Sequence, residues 1–488
     1  MHLCLRIPEI SNIIGDELTQ FDLLHLTLVC KSFNLQFTSL LYRSITIDYN
    51  YTQFDNEFNI YKTSYIRTKS NIKSLFNTRE SNFNHIVCFK VDKLPLEFID
   101  FEKCLIDKLP YFNNVKMLSS NTSTSLQISN NLPQRGRLIK SFNIHINLFG
   151  NKVITNSNDL QLESLCFGPF TDNINLNQWL SRLTGDKSNT LTSLKMIKQY
   201  KKLNLNDLLD GNLQSNVINF GRFPNLTKLS LINLIMKPND LNKLKSIENQ
   251  LQFLEFTNIY EISNDSSSIL SSFKPLNLKI LKIDITQSLI DHVPQFINNL
   301  PYNTLNESDI TVRFNELKNL TLDEILIDYI ESIKNQSQSL IKLSFEIICE
   351  VRMVQFQQPL NKSQFNQLFN DITYPLLKSL RFQLQFNELL SNKIQFFNSV
   401  PLISKLSIIG ANSIERHWGL GTTYPGIFDS WLRIQHLPLQ LINDDPKPSI
   451  HNLKYIKMND CLFEIKNNDL IPRNTIDDWY DHETRVCF

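Results

Sequence analysis

The chain has 488 residues, with 49 Lys+Arg against 48 Asp+Glu and a net charge of +1 at pH 7. That length is enough for a large core or more than one domain, and the even charge argues against a general nucleic-acid or membrane-surface binder, which carries a basic excess. Its eight cysteines are scattered, with no C-x-x-C pair, a usage that fits reduced, mostly buried thiols in cytoplasm or nucleus rather than a secreted disulfide framework.

The first 47 residues read as three short amphipathic helices. Pro8 suits a first helical turn, and Ile10, Ile13, Ile14 and Leu18 then share one helical face. Asp22 is placed to cap a second helix, with Leu23, Leu26 and Cys30 on one side and Leu24 and Leu28 beside them. A third helix carries Phe33, Phe37, Leu40 and Leu41. Helices of ~10 residues with this much apolar surface need a partner, in cis or in trans.

The residues Glu9-Ile10, Ile13-Ile14, Leu18, Asp22-Leu23-Leu24, Leu26, Leu28-Val29-Cys30-Lys31 and Phe33, followed by Leu41-Tyr42-Arg43 and Ile45, resemble the F-box family. Arg6 and Ile7 stand where that family usually opens Leu-Pro, and Ser11 and Gly15 stand where it prefers Leu and Phe. The resemblance implies a helical F-box domain over residues 1–47. It also implies that Ile7, Pro8, Ile10, Ile14, Leu18, Leu24, Leu26 and Val29 bind a Skp-type adaptor, which couples the chain to a cullin–RING ubiquitin ligase.

Ser44–Asp48 alternates and suits a short strand. Residues 48–85 form a connecting segment, with a helix expected over Ile66–Phe76. From residue 86 an apolar residue is followed by another three positions later and a third two positions after that. Ile86-Phe89-Val91, Leu162-Leu165-Phe167, Leu191-Leu194-Met196 and Leu226-Leu229-Leu231 show it, as do Leu251-Leu254-Phe256, Leu278-Leu281-Ile283, Leu317-Leu320-Leu322, Leu340-Leu343-Phe345, Leu377-Leu380-Phe382, Ile403-Leu406-Ile408 and Leu453-Ile456-Met458. The period-2 part reads as a short strand. Helical segments are expected between strands at 238–247, 289–300 and 324–333, and many spacings match one strand plus one helix per unit.

This pattern resembles the leucine-rich repeat, with Asn233, Asn258 and Asp460 in the slot where such repeats place an Asn against the turn backbone. The resemblance implies an α/β fold: N-terminal all-α F-box-like helices, then a curved leucine-rich-repeat solenoid over 86–466 with strands on its concave face. Residues 410–448 interrupt it as an insertion, and 467–488 are a C-terminal cap or tail.

No phosphate-binding glycine loop, nucleophile elbow or H-E-x-x-H motif occurs, and no cofactor or metal site is expected. No stretch approaches the ~20 apolar residues of a membrane span. The chain therefore reads as a non-catalytic receptor: a substrate-recognition subunit of a cullin–RING ligase with an unidentified client protein, or alternatively an adaptor-bound scaffold with no role in degradation. The strand residues facing away from the leucines mix charges of both signs: Lys228, Ser230, Glu255, Thr257, Lys282, Asp284, Thr321, Asp323, Lys342, Ser344, Arg381 and Gln383. Arg381 on that face, with Arg416 and Trp418 from the insertion, is the expected client anchor.

Overall fold

The structure is a computed structural model that describes residues 14, 20–48, 64–66, 69–93, 104, 107–120, 141–144, 162–170, 176, 180, 189–198, 218–237, 240–261, 268–286, 292–314, 322–351, 354–356, 362–369, 372–382, 386–408, 441, 452–458, 461–466 and 469–473. The chain forms two compact units, 1–200 with 222–226, and 201–221 with 227–488. Each is mixed α/β with a mostly parallel sheet.

In the first unit, α1 (Gln20–Val29) and α2 (Lys31–Arg43) meet at Cys30, whose extended backbone ends one helix and opens the next. Asp22 lies inside α1 rather than capping it, because the helix already begins at Gln20. The spacing of Phe37, Leu40 and Leu41 puts them on one face of α2, where they bury against Leu23 of α1, with Leu26, Phe33 and Tyr42 packed around them. The Asn34 amide donates to the Thr27 carbonyl at 3.1 Å and ties the two helices near their turn.

No loop separates α2 from the sheet. Arg43 ends the helix and β1 (Ser44–Asp48) starts at the next residue. β1 pairs in parallel with β2 (Ser64–Ile66) on one side and β3 (Cys88–Lys93) on the other, and the Val87 N–H donates to the Arg43 carbonyl at 2.8 Å. The sheet thus begins at residue 44, ahead of the first full triplet at Ile86. The helix expected over Ile66–Phe76 is shorter, α3 (Lys69–Phe76), because Ser64–Ile66 is drawn into the ladder against Ile45–Ile47. A short α4 (Glu80–Phe83) follows. The sheet continues in chain order through β4 (Met117–Ser120), β5 (Ser141–Ile144), β6 (Ser164–Phe170) and β7 (Ser193–Lys198), every neighbour parallel.

In the second unit the parallel order is β8 (Lys228–Ile232), β10 (Phe253–Glu261), β11 (Ile280–Thr286), β12 (Glu307–Phe314), β13 (Lys342–Val351), β15 (Ser379–Phe382), β16 (Lys405–Ile408) and β17 (Tyr455–Met458). β9 (Ile235–Met236) pairs with the far end of β10, and β14 (Val354–Phe356) folds back antiparallel on β13. Two antiparallel strands, β18 (Cys461–Lys466) and β19 (Asp469–Arg473), extend the sheet beyond β17. Helices α5 (Asp240–Lys245), α6 (Ile269–Ser272), α7 (His292–Asn298), α8 (Leu322–Lys334), α9 (Lys362–Phe369), α10 (Phe386–Ser391) and α11 (Lys393–Ser399) fall between successive parallel strands.

Register aligns the triplets. Leu229, Leu254, Leu281, Leu343, Leu380, Leu406 and Ile456 form one buried row. Leu231, Phe256, Ile283, Ile310, Phe345, Phe382, Ile408 and Met458 form a second. Helix residues cover this face: Tyr329 stacks on Phe345 with ring centroids 4.2 Å apart, and Phe369 meets Phe382 edge-on at 6.4 Å. At successive joins in both units, two consecutive N–H groups converge on one carbonyl of the preceding strand's entry. Lys116 and Met117 share Val87, Gln252 and Phe253 share Thr227, and Lys454 and Tyr455 share Ser404. Asn233 and Asn258 adopt left-handed φ of 59° and 50°, a conformation Asn tolerates better than most residues. The Asn258 amide donates to the Asn233 side-chain oxygen at 2.9 Å, a side-chain bond between the position just after β8 and a position within β10, whereas the expected contact was with the turn backbone. Asp460 lies outside the described residues.

One triplet is corrected. Leu317 and Leu320 lie outside the described residues, Leu322 opens α8, and the strand at this place is β12, fed by Leu305, Ser308 and Ile310. Ser308 sits in the leucine row between Leu281 and Leu343. The volume that a leucine would fill is taken by Tyr329 of α8, whose hydroxyl lies 3.5 Å from the Ser308 hydroxyl. Asp323, expected on the strand face, is therefore helical.

Burial raises the Tyr329 and Tyr374 phenols above their ordinary value of 10.0. A raised phenol means that the native state stays neutral while the unfolded chain ionises, so the stabilisation is whole below the unfolded value and is lost as pH rises past it. Each group that ionises only on unfolding contributes about 1.4 kcal/mol per pH unit. Urea midpoints are expected to fall more steeply above about pH 10, and Tyr329→Phe should make that fall shallower. An unchanged slope in Tyr329→Phe would assign the alkaline loss to other groups.

Candidate binding surfaces

Apolar side chains on the α1–α2 hairpin face two ways. Leu23 turns inward at 3% exposure, whereas Leu24 is 46%, Leu28 82%, Val29 67% and Leu35 80% exposed. Leu24 and Leu28 are four residues apart and so stand one above the other on α1. A cluster of large apolar groups left in water marks an interaction site more often than chance exposure does. Of the residues expected to bind an adaptor, Leu24 and Val29 lie on this outward side and Ile14 is also exposed. Leu26 instead packs half-buried against the Leu23–Phe37 cluster. Ile7, Pro8, Ile10 and Leu18 lie outside the described residues. Leu28 and Leu35 are the exposed groups that the expected set missed; their position on the outer side of an amphipathic pair was the available signal.

The second surface is the sheet face of the 227–488 unit that looks away from the leucine rows. Strand alternation puts Ser230, Glu255, Lys282, Asp309, Ser344, Arg381, Ser407 and Lys457 in one register row. Charged groups on it engage neighbouring side chains. Ser230 donates to the Glu255 carboxylate, and the Lys282 ammonium sits 5.6 Å from the centre of the Phe253 ring. Arg381 donates to the Glu346 carboxylate at 2.7 Å, with Glu346 nearly buried and Arg381 half-exposed. Arg381 is thus part of an ion pair between neighbouring strands as well as an outward-facing guanidinium. Asp309 and Thr311 stand on this face, and Ser308 hides the triplet beside them; Asp323 is helical, and Thr321 lies outside the described residues. Gln383, Arg416 and Trp418 lie outside the described residues.

Among the described residues, no helix is long and apolar enough to cross a membrane, and no group of three or more His, Cys, Asp or Glu could hold a metal ion. Set against known proteins, the chain matches no family model, and no curated protein matches it in sequence.

Proposed function

We propose that the chain is a client-receptor subunit of a cullin–RING ubiquitin ligase, with an F-box-like helical pair that docks a Skp-type adaptor and leucine-rich repeats that hold the client. The reading rests on the F-box-like sequence of residues 9–45. The observation that carries it further is the outward apolar set on α1 and α2, Leu24, Leu28, Val29 and Leu35, joined without a loop to a parallel sheet. An adaptor gripping those residues would be connected to the sheet of the same unit through Arg43 and Ser44, with no flexible linker between. Catalysis then belongs to other subunits. This chain contributes local concentration, turning ubiquitin transfer into a near-intramolecular step for a bound client. The mixed charges of the outward sheet face suit a polar, sequence-specific protein segment better than a uniform polyanion.

The test uses residues that the fold does not need. Leu24→Asp with Val29→Asp puts charge on exposed positions, so the thermal midpoint should shift by no more than about 2 °C. Co-purification of a Skp-type adaptor should drop by about tenfold or more, since a charge buried without a partner in an apolar interface is strongly unfavourable. Full adaptor recovery by this folded variant would overturn the assignment.

A further inference from the structure

Six of the turns that enter parallel strands carry the same polar link. The residue just before a triplet's first apolar side chain reaches back to a main-chain carbonyl of the preceding strand unit. Asn114 donates to Asn84 at 2.6 Å, Thr190 to Leu162 at 2.9 Å, and Asn225 to Asn189 at 2.6 Å. Asn277 donates to Asn249 at 2.5 Å, Ser339 to Leu305 at 2.6 Å, and Asn452 to Pro401 at 2.9 Å. At this position Thr304 bonds within its own turn, to Pro301.

At β15 and β16 the same position is leucine. Leu376 and Leu402 come three residues before Ser379 and Lys405, which are register partners, so the two leucines belong to adjacent turns. They are 45% and 40% exposed. Neither junction depends on them. Gln338 reaches forward to the Thr373 carbonyl at 3.2 Å, and the Tyr374 N–H donates to the Ser399 carbonyl at 2.7 Å. The link made elsewhere by Asn, Thr or Ser is carried here by other groups, and the vacated position is filled by apolar side chains left in water. Pro375 and Pro401 precede the two leucines and fix φ at the start of each turn.

The surroundings are basic. Lys378 follows Leu376 by two residues, and Lys454 holds the matching place in the next turn but one; both are exposed. The described residues of these turns, 372–378, 400–405 and 452–454, contain no carboxylate. We infer that Leu376 and Leu402, flanked by Lys378 and Lys454, form a docking site for a short acidic peptide segment of a partner protein, with two apolar anchors set among carboxylates. The leucines supply the anchor contacts, and the lysines select negative flanks and give a salt-dependent on-rate. This site lies on strand-entry turns of the 227–488 unit and does not depend on the adaptor assignment.

The experiment introduces asparagine, which makes the link at Asn114, Asn225, Asn277 and Asn452. Leu376→Asn with Leu402→Asn in the full chain should leave the thermal midpoint unchanged or raise it, because Asn is the link-forming residue at this position. The probe is a fluorescein-labelled synthetic peptide in which two leucines are separated and flanked by aspartates. Its binding should weaken by about tenfold or more in the double variant. Lys378→Glu with Lys454→Glu should likewise lose the aspartate peptide and gain a lysine-substituted version of it. Unchanged peptide binding in the Leu→Asn variant would overturn the site, as would a large fall in its thermal midpoint, which would make the leucines structural. Adaptor co-purification, measured on the same variants, should not move, so failure here and failure of the ligase reading give different patterns.

Discussion

Tyr329→Ala is expected to destabilise the 227–488 unit by about 3–5 kcal/mol, the range for removing a large buried aromatic side chain. Tyr329 is fully buried, stacks on Phe345 at 4.2 Å and occupies the space left by Ser308 in a row otherwise made of leucine and isoleucine. Ser308→Leu alone should also destabilise, by about 1–3 kcal/mol, because the added carbons meet a ring already in place. The informative variant is the pair. In Tyr329→Ala with Ser308→Leu, the leucine enters the cavity left by the ring. The double variant should therefore be more stable than the sum of the single losses by about 1 kcal/mol or more. Urea unfolding followed by circular dichroism at neutral pH reads all four corners of the cycle. Strict additivity would mean that Ser308 and Tyr329 do not share one volume and that Tyr329 does not stand in for the missing leucine.

That pair also marks where sequence pattern stops being readable. Apart from Leu317-Leu320-Leu322, the apolar triplets coincide with strands, because a period-2 apolar run has few other ways to bury itself. Helices at 240–245, 292–298 and 322–334 fell inside or close to the expected segments. At β12 the compensation is tertiary: a tyrosine distant in sequence replaces a missing leucine, and no local window contains both. The strand-entry links were visible in principle as Asn-Val or Asn-Leu dipeptides at 114, 225, 277 and 452. Only the register shows that their amides reach the preceding turn, and only against that ladder do Leu376 and Leu402 stand out. On the α1–α2 hairpin, the F-box resemblance names Leu24, Leu26 and Val29 together but does not say which side of α1 the helix α2 covers. It therefore grouped Leu26, which packs inward, with residues that face water. Arg381 was found from alternation alone, whereas its partner Glu346 requires knowing which strand lies beside it.

Gly168→Ala is expected to be the most damaging small substitution in the 1–200 unit. Gly168 lies in β6 with φ of 136°, far from the region open to residues with a Cβ. The ladder to β7 loses simple register here, passing from Phe167 opposite Met196 to Phe170 opposite Lys198. An added Cβ would collide with the main-chain carbonyl of Ile197 on the neighbouring strand, and backbone in a paired ladder cannot move aside as a flexible side-chain tip can. Backbone strain at such a position and overpacking against a rigid neighbour add to about 3 kcal/mol or more. The loss should be local: amide hydrogen exchange should accelerate first in Ser164–Phe170 and Ser193–Lys198, before the α1–α2 hairpin is affected. Gly221→Ala is the control. Its added Cβ would meet the Asn219 side-chain oxygen at 3.2 Å and the Ser246 Cβ at 3.5 Å, contacts that a small side-chain adjustment relieves. Equal destabilisation by the two substitutions would show that loss of glycine in general, and not the close approach of β6 to β7 at Gly168, governs the effect.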